Sequence, residues 1–470
     1  MPVRRSTQAK RKDVPVGHKK KRTLRATERE TTSATKKRNK LLRRPKELDF
    51  INVLQERGFI YQCTDTEGLR DAANARGLVG YIGFDCTAPS LHVGSLVQIM
   101  LLRWLQKTGG KPIVLMGGGT TRIGDPSDKD AERPFLTPST ITSYKRKIRS
   151  VFDKFLEFND GPTGAVMEDN AHWLGKLRYL KFLREVGRHF TVNRMLALES
   201  VKRRLEREQP LTFMEFNYPL LQAADFLTLS RKYNCRLQMG GSDQWGNIIQ
   251  GVELCRRVSG VECYGLTSPL ITTSSGSKMG KTAEGAVWLS PEFLPPFRYW
   301  QFWRNTEDRD VGRFLKLFTD LPLDEITRLE TLQGAEINDA KRVLATEATA
   351  LLHGREAAEE AAKTSNTVFA NLNASIGDMT LSASATIGGL PTFAVTQAEL
   401  AAGLRVAAAF VRAGLVASNG EAKRHIAAGA LRINDVAVSD ENAVLGATDV
   451  TNGAIKLSLG KKKHALLKLS

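Results

Sequence analysis

Residues 81–95 are the first in the chain whose types and spacing suggest chemistry. An apolar, β-prone run over residues 79–84 stops at a Pro-Ser turn, and an amphipathic helical pattern begins at Gly94. His92 therefore stands beside a helix N-terminus, where unpaired N–H groups and the positive end of the dipole attract anions. Gly94 and Ser95 are placed to meet a phosphate chain, with glycine allowing close approach. An ordinary strand-to-helix turn would have the same pattern.

A glycine run follows the next apolar segment. Gly117 to Gly119 come directly after Met116 and lead to Asp125, Lys129 and Arg133. Glycines at a strand exit let a ligand reach the backbone of an α/β sheet, although such runs also form plain loops. Asp125 needs a donor, which an α-amino group would supply, and the two cations lie on a loop that could reach phosphates.

Two further motifs occur later in the chain. Residues 240–247 read Gly-Gly-Ser-Asp-Gln-Trp-Gly-Asn at a predicted strand-to-helix junction, where polar side chains could grip ribose hydroxyls or a small polar ligand. Ser242 and Asp243 could equally be helix N-caps, and both roles are compatible. Residues 278–282 read Lys-Met-Gly-Lys-Thr within a polar loop. Two lysines three apart around a glycine can fold onto a triphosphate, although surface lysine pairs are common.

The net charge of +19 is concentrated in the first 46 residues. That tail holds 18 of the 69 Lys and Arg residues against three acidic ones, so the remaining chain carries only about +4. Its lack of apolar periodicity predicts disorder. A polyanion-binding arm, an organelle-targeting segment and an upstream extension that is never translated are all compatible with it.

The composition favours a globular cytoplasmic protein with reduced thiols, with import into an organelle as the alternative. No stretch approaches the ~18 apolar residues of a membrane span, and no secretory pattern begins the chain. The five cysteines are widely spaced without a Cys-x-x-Cys pair, which predicts neither disulfides nor structural zinc.

Apolar runs alternate with helical patterns after the tail, which predicts an α/β fold. We expect a disordered tail over 1–46, a parallel-sheet catalytic domain over 47–285, an all-helical domain over 286–370, a linker over 371–396 and a small α+β domain over 397–470. Predicted strands cover 79–84, 112–116, 165–168, 236–239 and 266–271. Predicted helices cover 94–106, 139–158, 177–189, 215–232 and 244–258.

The C-terminal segment has a basic face. Ser418 and Glu421 form a predicted capping box for a helix that carries Lys423 and Arg424 on its exposed side, and Arg432 lies on the strand that follows. The segment resembles an RNA-binding domain named after a ribosomal small-subunit protein. A solvated basic face on a small domain is the alternative.

The four motifs occur in the order and at roughly the spacing of the class I aminoacyl-tRNA synthetases, and from about Leu48 the chain resembles their bacterial tyrosyl branch. The most specific segments are Tyr81-x-Gly-Phe-Asp-x-Thr-Ala, Leu91-His-Val-Gly, residues 240–247 and residues 278–282. Ser95 departs from the His or Asn usual at its position. Gly280 and Thr282 match the tyrosyl form of the lysine signature.

The resemblance implies a Rossmann-like catalytic domain that activates tyrosine with ATP and Mg²⁺, passes it to the terminal ribose of tRNA(Tyr), and uses no protein nucleophile and no tightly bound metal or organic cofactor. It implies a homodimer. By resemblance, the residues that stabilise the pyrophosphate side are Thr87, His92, Lys129, Arg133, Lys278, Lys281 and Thr282. Those expected to bind tyrosine are Tyr81, Gly83, Asp125, Tyr218, Gln222, Asp225 and Gln244. Those expected to bind ATP are Asp85, His92, Gly94, Ser95, Gly241, Asp243, Lys278 and Lys281.

The spacing of Tyr218, Gln222 and Asp225 places the three on one helix face. Three alternatives stay open: a tryptophanyl-tRNA synthetase, a catalytically silent RNA-binding homologue, and a nucleotidyltransferase of the same superfamily. The last leaves the C-terminal domain unexplained, and amino-acid-dependent pyrophosphate exchange separates the first from a tyrosyl enzyme.

Overall fold

The computed structural model describes residues 48–75, 77–127, 135–276, 279–282, 285–374, 392–451, 453–460 and 463–469. The basic tail over 1–46 lies outside these ranges. Among the helices that are described, none has both the length and the apolar character needed to cross a bilayer. All five cysteines are described and are free thiols.

The main sheet has six strands in the spatial order β1-β6-β5-β2-β3-β4. The strands are β1 Gln62–Cys63, β2 Val79–Phe84, β3 Lys111–Met116, β4 Val166–Asp169, β5 Cys235–Gly241 and β6 Tyr264–Ser268. β1 pairs antiparallel with β6, and every other neighbouring pair is parallel. The strand order reverses between β2 and β5, so their carboxyl ends define the topological switch point at which open α/β sheets bind ligands.

Helices cover both faces of this sheet. They are α1 Phe50–Glu56, α2 Thr66–Asn74, α3 Leu96–Lys107, α4 Pro138–Phe152, α5 Ala171–Leu174, α6 Tyr179–Glu185, α7 Val192–Leu196, α8 Glu199–Glu206, α9 Phe213–Phe216, α10 Tyr218–Tyr233 and α11 Trp245–Ser259. Alternation along β2 sends Val79 and Tyr81 into a core with α10 and α11, whereas Ile82 and Phe84 face a core with α1 and α3. Both faces are thus buried, as a parallel sheet requires.

The region after the sheet is helical, as the sequence predicts. A short antiparallel pair, β7 Lys281–Thr282 and β8 Gly285–Ala286, precedes α12 Pro296–Arg304, α13 Val311–Phe318, α14 Leu323–Glu330, α15 Ile337–His353 and α16 Arg355–Ala374. The fully buried Trp303 packs against Phe314 and Phe318 at ring-centroid distances of 6.1 and 4.9 Å. The guanidinium of Arg57, the residue that caps the C-terminal end of α1, donates to the carbonyl groups of Lys316 and Thr319, which ties α1 to the end of α13.

The last part of the described chain has its own apolar core. Its elements are β9 Thr392–Val395, α17 Gln397–Ala401, β10 Leu404–Arg405, α18 Val406–Arg412, α19 Asn419–Ala427, β11 Leu431–Ile433, β12 Val436–Ala437, β13 Val444–Leu445, β14 Ala454–Leu459 and β15 Lys463–Leu469. The sheet order is β12-β11-β14-β15-β9, and β9 pairs parallel with β15. The strand β9 therefore lies within the range that the sequence places in the linker.

Most predicted elements differ from the observed ones in their bounds; the helix predicted over 139–158, for example, is Pro138–Phe152, and two further differences have a clear local cause. The helix predicted over 215–232 is two helices, α9 and α10, because Asn217 caps the first and donates its side-chain amide to the Phe213 carbonyl. The strand predicted over 266–271 is β6, which ends before Pro269. Proline has no N–H to donate, so the ladder stops there.

Candidate active site

A cleft of about 360 Å³ opens at the carboxyl ends of β2 and β5, at the switch point of the sheet. Fourteen of the residues selected from the sequence line it: Tyr81, Gly83, Asp85, Thr87, His92, Gly94, Ser95, Asp125, Tyr218, Gln222, Asp225, Gly241, Asp243 and Gln244. They come from four separate stretches of sequence. The fold thus brings together residues up to 163 positions apart, as the motif analysis requires.

The remaining selected residues are outside the described residues, are described only in their backbone, or belong to the C-terminal part of the chain. Lys129, Arg133 and Lys278 lie outside the described residues. Lys281 and Thr282 form β7, of which only the backbone is described. The three predicted RNA-binding residues belong to the C-terminal part of the chain, where Lys423 and Arg424 lie on α19 and Arg432 on β11, all exposed.

Asp225 lies at the buried end of the cleft and is held by two donors. Its side chain accepts from Asn170 Nδ2 at 2.9 Å and from Trp173 Nε1 at 2.7 Å. Burial raises the pKa of this carboxyl to about 7, the two hydrogen bonds oppose the shift, and the nearby charges of Asp85 and Asp169 add to it. Asp225 is thus a strong acceptor whose charge is costly while it has no further partner.

Tyr81 presents a buried hydroxyl to the same cleft. The residue is 1% exposed, and its hydroxyl has no hydrogen-bond partner among the described protein atoms. The ring packs edge-on against Phe226 at a centroid distance of 5.3 Å. Burial raises the pKa of Tyr81 well above its ordinary value, so the hydroxyl remains protonated. A buried hydroxyl without a partner is costly, and a polar ligand group would satisfy it.

Asp85 links the Tyr81 strand to helix α10. The Tyr218 hydroxyl donates to Asp85 Oδ2 at 3.0 Å, and Thr120 Oγ1 donates to Asp85 Oδ1 at 2.7 Å. A Cβ on Gly117 would lie 2.1 Å from that same Oδ1, so only glycine fits there. Burial, followed by the neighbouring carboxylates, raises the pKa of Tyr218 well above its ordinary value. Asp85, assigned to ATP by resemblance, is thus bonded directly to a residue assigned to tyrosine.

A second polar group surrounds Asp125. The carboxylate accepts from Gln244 Nε2 at 2.8 Å and from the backbone N–H of Ser127 at 2.9 Å. Asn247 Nδ2 lies 3.2 Å from Gln222 Oε1 and 3.3 Å from Gln244 Oε1, which ties the two glutamines together. The Asp125 carboxylate and the side-chain oxygens of Gln222 and Gln244 thus lie close together as hydrogen-bond acceptors for an ammonium group.

His92 is oriented by its own turn. Its Nδ1 accepts from the Gly94 N–H at 3.0 Å, so a neutral ring carries its proton on Nε2. Ser95, at the start of α3, makes no side-chain capping bond. Ser95 and Gly94 line the cleft beside His92, and a Cβ on Gly94 would lie 2.6 Å from the imidazole.

Gly280, in the described part of the lysine signature at residues 278–282, packs onto this turn. Gly280 has a φ of +86°, and a Cβ there would lie 2.9 Å from the Gly94 backbone nitrogen, so glycine is required on both counts. The Val287 N–H donates to the Gly280 carbonyl, and the Val93 N–H donates to the Val287 carbonyl at 2.9 Å. Two motifs that are far apart in the sequence thus meet at one backbone junction, between the turn of His92 and Gly280.

Sequence reasoning missed Asn170, Trp173 and Thr120 as members of the site. Asn170 is 1% exposed and donates from the same Nδ2 to Asp225 and to Thr120, while its Oδ1 accepts from the Gly119 N–H. Asn170 therefore connects the Asp225 carboxylate to Thr120, which in turn donates to the Asp85 carboxylate. Its place directly after the strand β4 was the available signal, because polar residues at strand carboxyl ends face the ligand edge of the sheet.

The comparisons with known proteins agree with this geometry. A family model described as tRNA synthetases class I (W and Y) matches residues 74–370. A second model, for the C-terminal domain of SYY-like tyrosine–tRNA ligases, matches residues 383–467. The parallel sheet with its cleft at the switch point and the first match together define the chain as a class I tRNA synthetase.

Similar proteins show to which branch of the class I family the chain belongs. The tyrosine–tRNA ligase of Methylocella silvestris is 61% identical over 424 residues, which cover 90% of this chain and 98% of that protein. The tyrosine–tRNA ligase of Rhodospirillum rubrum is 61% identical over 422 residues, with the same two coverages. The crystal structure of a C-terminally truncated Aspergillus nidulans mitochondrial tyrosyl-tRNA synthetase is similar with a TM-score of 0.63 and 30% identity, over 69% of this chain and 95% of that one. The chain belongs to the tyrosine–tRNA ligase family.

Proposed function

We propose that this chain attaches tyrosine to tRNA(Tyr) in two steps at the cleft between β2 and β5. The tyrosine carboxylate attacks the α-phosphorus of ATP, which forms tyrosyl-adenylate and releases pyrophosphate. The terminal ribose hydroxyl of the tRNA then attacks the tyrosyl carbonyl and releases AMP. The carboxylate is itself the nucleophile, so the protein contributes positioning and charge stabilisation.

The observation that carries the proposal is the pair of polar groups at the buried end of the cleft. Asp225 offers a carboxylate, and Tyr81 offers a hydroxyl without a protein partner. A substrate phenol can donate to the first and bond the second, whereas phenylalanine would leave both unsatisfied. At the other end of the amino acid, Tyr218, Gln222 and Asp125 receive the α-ammonium, and Gln244 binds the remaining polar atoms.

We assign the phosphate side of the cleft to the turn and loops that meet there. Thr87 and His92 stabilise the leaving pyrophosphate with Lys129, Arg133, Lys278, Lys281 and Thr282. Asp85, Gly94, Ser95, Gly241 and Asp243 bind the adenylate part of ATP. Gly241 supports this role because it lines the cleft without a side chain, beside Asp243.

Mg²⁺ would be supplied to this reaction together with ATP. Among the residues that the structure describes, no group of three or more His, Cys, Asp or Glu side chains is arranged to hold a metal ion. The ion would neutralise phosphate charge during transfer.

The tRNA contacts extend to the C-terminal domain, through Lys423, Arg424 and Arg432. All three are exposed cations, and cations that contact phosphates supply salt-dependent affinity for nucleic acids. We retain a catalytic domain over 47–285 and a helical domain over 286–370. We propose that the C-terminal domain begins at β9 rather than at residue 397, because Val395 belongs to the second apolar core and β9 pairs with β15.

We further propose a homodimer that acts in the cytoplasm. The segment between β4 and α10 exposes several large apolar side chains, including Leu180 at 80%, Val192 at 60% and Phe213 at 69%. Clustered exposed apolar residues are typical of interfaces. Leu180→Asp should therefore shift the protein to the monomer in sedimentation velocity, and an unchanged sedimentation coefficient would refute this surface.

Pyrophosphate exchange tests the proposed activity directly. We expect ATP–pyrophosphate exchange to depend on tyrosine, with little or no rate on tryptophan or phenylalanine at matched concentrations. A rate that depends on tryptophan instead would support the tryptophanyl alternative. No exchange with any amino acid, in protein that binds tRNA, would support the silent homologue.

A further inference from the structure

The segment Thr272–Ser275, which leads into the lysine signature, is bonded to side chains of the helical region. Ser274 Oγ donates to Glu307 Oε2 at 2.6 Å, and Ser275 Oγ donates to Glu307 Oε1 at 2.8 Å. One carboxylate thus holds two neighbouring hydroxyl groups, one with each oxygen. These bonds lower the pKa of Glu307.

An ion pair between the buried Asp310 and the exposed Arg313 holds the backbone of the same segment. The Ser274 N–H donates to Asp310 Oδ2 at 2.8 Å, and Arg313 Nη2 donates to Asp310 Oδ1 at 2.8 Å. Arg313 Nη2 also donates to the Thr272 carbonyl. Asp310 is 3% exposed and lies at the turn before α13, so the fold of the helical region fixes its position.

Two described residues of the signature itself also have backbone bonds. The Met279 N–H donates to the Ile271 carbonyl at 3.0 Å, and Gly280 is bonded through Val287 to the turn that carries His92. Gly280, next to Lys281 in the sequence, is therefore a fixed point. The Met279 bond joins the signature to Ile271, which directly precedes the Thr272–Ser275 segment held by Glu307, Asp310 and Arg313.

We propose that Glu307, Asp310 and Arg313, which we call the clasp, are positioning residues for tyrosine activation. They fix Thr272–Ser275 against the helical region and thereby set where Lys281 stands relative to His92. The clasp does not belong to the described lining of the cleft, so it acts through the signature and not on substrate. The inference rests on the role assigned to Lys281 above.

A purely structural clasp would affect stability, whereas a positioning clasp affects the rate of activation. Tyrosine binds at the far end of the cleft from the signature, so its KM should not depend on the clasp. ATP activation should depend on it, because a cation misplaced by about 1 Å can cost a large factor in rate.

The experiment uses the full chain and removes the bonds from each side. Glu307→Ala removes the acceptor, and the pair Ser274→Ala with Ser275→Ala removes both hydroxyl donors. Glu325→Ala is the matched control, because Glu325 is a carboxylate of α14 that bonds only to Arg328 of its own helix among the contacts described. Asp310 is left intact because a buried carboxylate is a risk to folding.

We expect kcat for tyrosine-dependent pyrophosphate exchange to fall ~10-fold in Glu307→Ala and in the double serine variant, with the KM for tyrosine and the melting temperature matching Glu325→Ala. A triple variant that combines Glu307→Ala with Ser274→Ala and Ser275→Ala should exchange no more slowly than either parent variant, because the substitutions remove the same hydrogen bonds. The proposal is overturned by an unchanged kcat, by a KM for tyrosine that rises in parallel, or by effects that multiply.

Lys281→Ala separates this proposal from the one on which it rests. If Lys281→Ala is slow while the clasp variants keep the control rate, the clasp alone is refuted. If Lys281→Ala itself exchanges at the wild-type rate, the assigned role of the signature fails.

Discussion

The two ends of the cleft are built differently. At the amino-acid end, Asp225 and Tyr81 are nearly fully buried, lie on α10 and β2 of the core, and are fixed by packing or by donors such as Trp173. At the phosphate end, Thr87 is exposed, and Lys281 stands on a two-residue strand outside the main sheet.

This difference matches the two tasks of the enzyme. Selecting tyrosine requires groups that are already in place before the substrate arrives, since a buried polar group left unpaired rejects the wrong side chain. Accelerating phosphoryl transfer requires charges whose contacts strengthen in the transition state. We therefore expect changes at the buried end to alter binding and selectivity, and changes at the phosphate end to alter rate.

The largest expected effect is at the phosphate end. Lys281→Ala should lower the rate of tyrosyl-adenylate formation ~100- to 1,000-fold, because one preorganised charge is lost from the transition state. Stopped-flow measurement of the single-turnover rate checks this. The control Lys147→Ala removes a cation that pairs with Glu292 on the surface. A loss of rate below threefold in Lys281→Ala, or an equal loss in the control, would contradict the proposal that the phosphate end of the cleft governs the rate of activation.

The burial of Asp225 should also make the stability of the folded protein depend on pH. Because the pKa of Asp225 is raised to about 7, the folded protein retains a proton that the unfolded chain releases near pH 4. The free energy of unfolding should therefore fall as pH rises from about 4 to about 7, by up to about 4 kcal/mol from this group at about 1.4 kcal/mol per pKa unit.

Asp225→Asn removes that titration. Urea unfolding of both proteins at pH 5, 6 and 7 should show a steeper decline in the wild type than in the variant. Parallel declines would mean that Asp225 is not a buried carboxyl of raised pKa.

Selectivity should depend on the same carboxylate. Asp225→Ala should reduce the ratio of kcat/KM for tyrosine over phenylalanine by ~10- to 100-fold, the value of a hydrogen bond to a charged group. Pyrophosphate exchange with the two amino acids measures this ratio. Asp71→Ala, which removes an exposed carboxylate of α2, serves as the control. An unchanged preference in Asp225→Ala would remove this residue from phenol recognition.

The smallest expected effect concerns two glycines of β2. No atom lies within 4 Å of a Cβ placed on Gly83, which faces the cleft, whereas a Cβ on Gly80 would lie 2.9 Å from Leu105. Gly83→Ala should raise the KM for tyrosine ~10-fold or less and leave the melting temperature unchanged, while Gly80→Ala should lower that temperature. The reverse pattern would place Gly83 outside the tyrosine site.

The sequence predicted much of this arrangement because local patterns carry it. The bounds of β2 follow from its apolar run alone, and helix α3 begins within two residues of the predicted start. The shared face of Tyr218, Gln222 and Asp225 follows from helical periodicity, and all three line the cleft.

Contacts between distant strands were not predictable in the same way. The partners of Asp225 come from residues 170 and 173, and only the position of β4 beside β3 brings them to α10. The bond between Tyr218 and Asp85 likewise depends on the crossing of α10 over β2. The clasp joins side chains at 307–313 to a loop some 35 residues earlier, which no local pattern signals.

The claim that the buried end of the cleft binds tyrosine while the phosphate end sets the rate is tested most directly by equilibrium dialysis of tyrosine, which measures binding without catalysis. We expect Asp225→Ala to raise the dissociation constant for tyrosine ~10-fold or more, and Lys281→Ala to bind tyrosine like the wild type. If Lys281→Ala weakens tyrosine binding as much as Asp225→Ala does, the two ends are not functionally separate and the account is wrong.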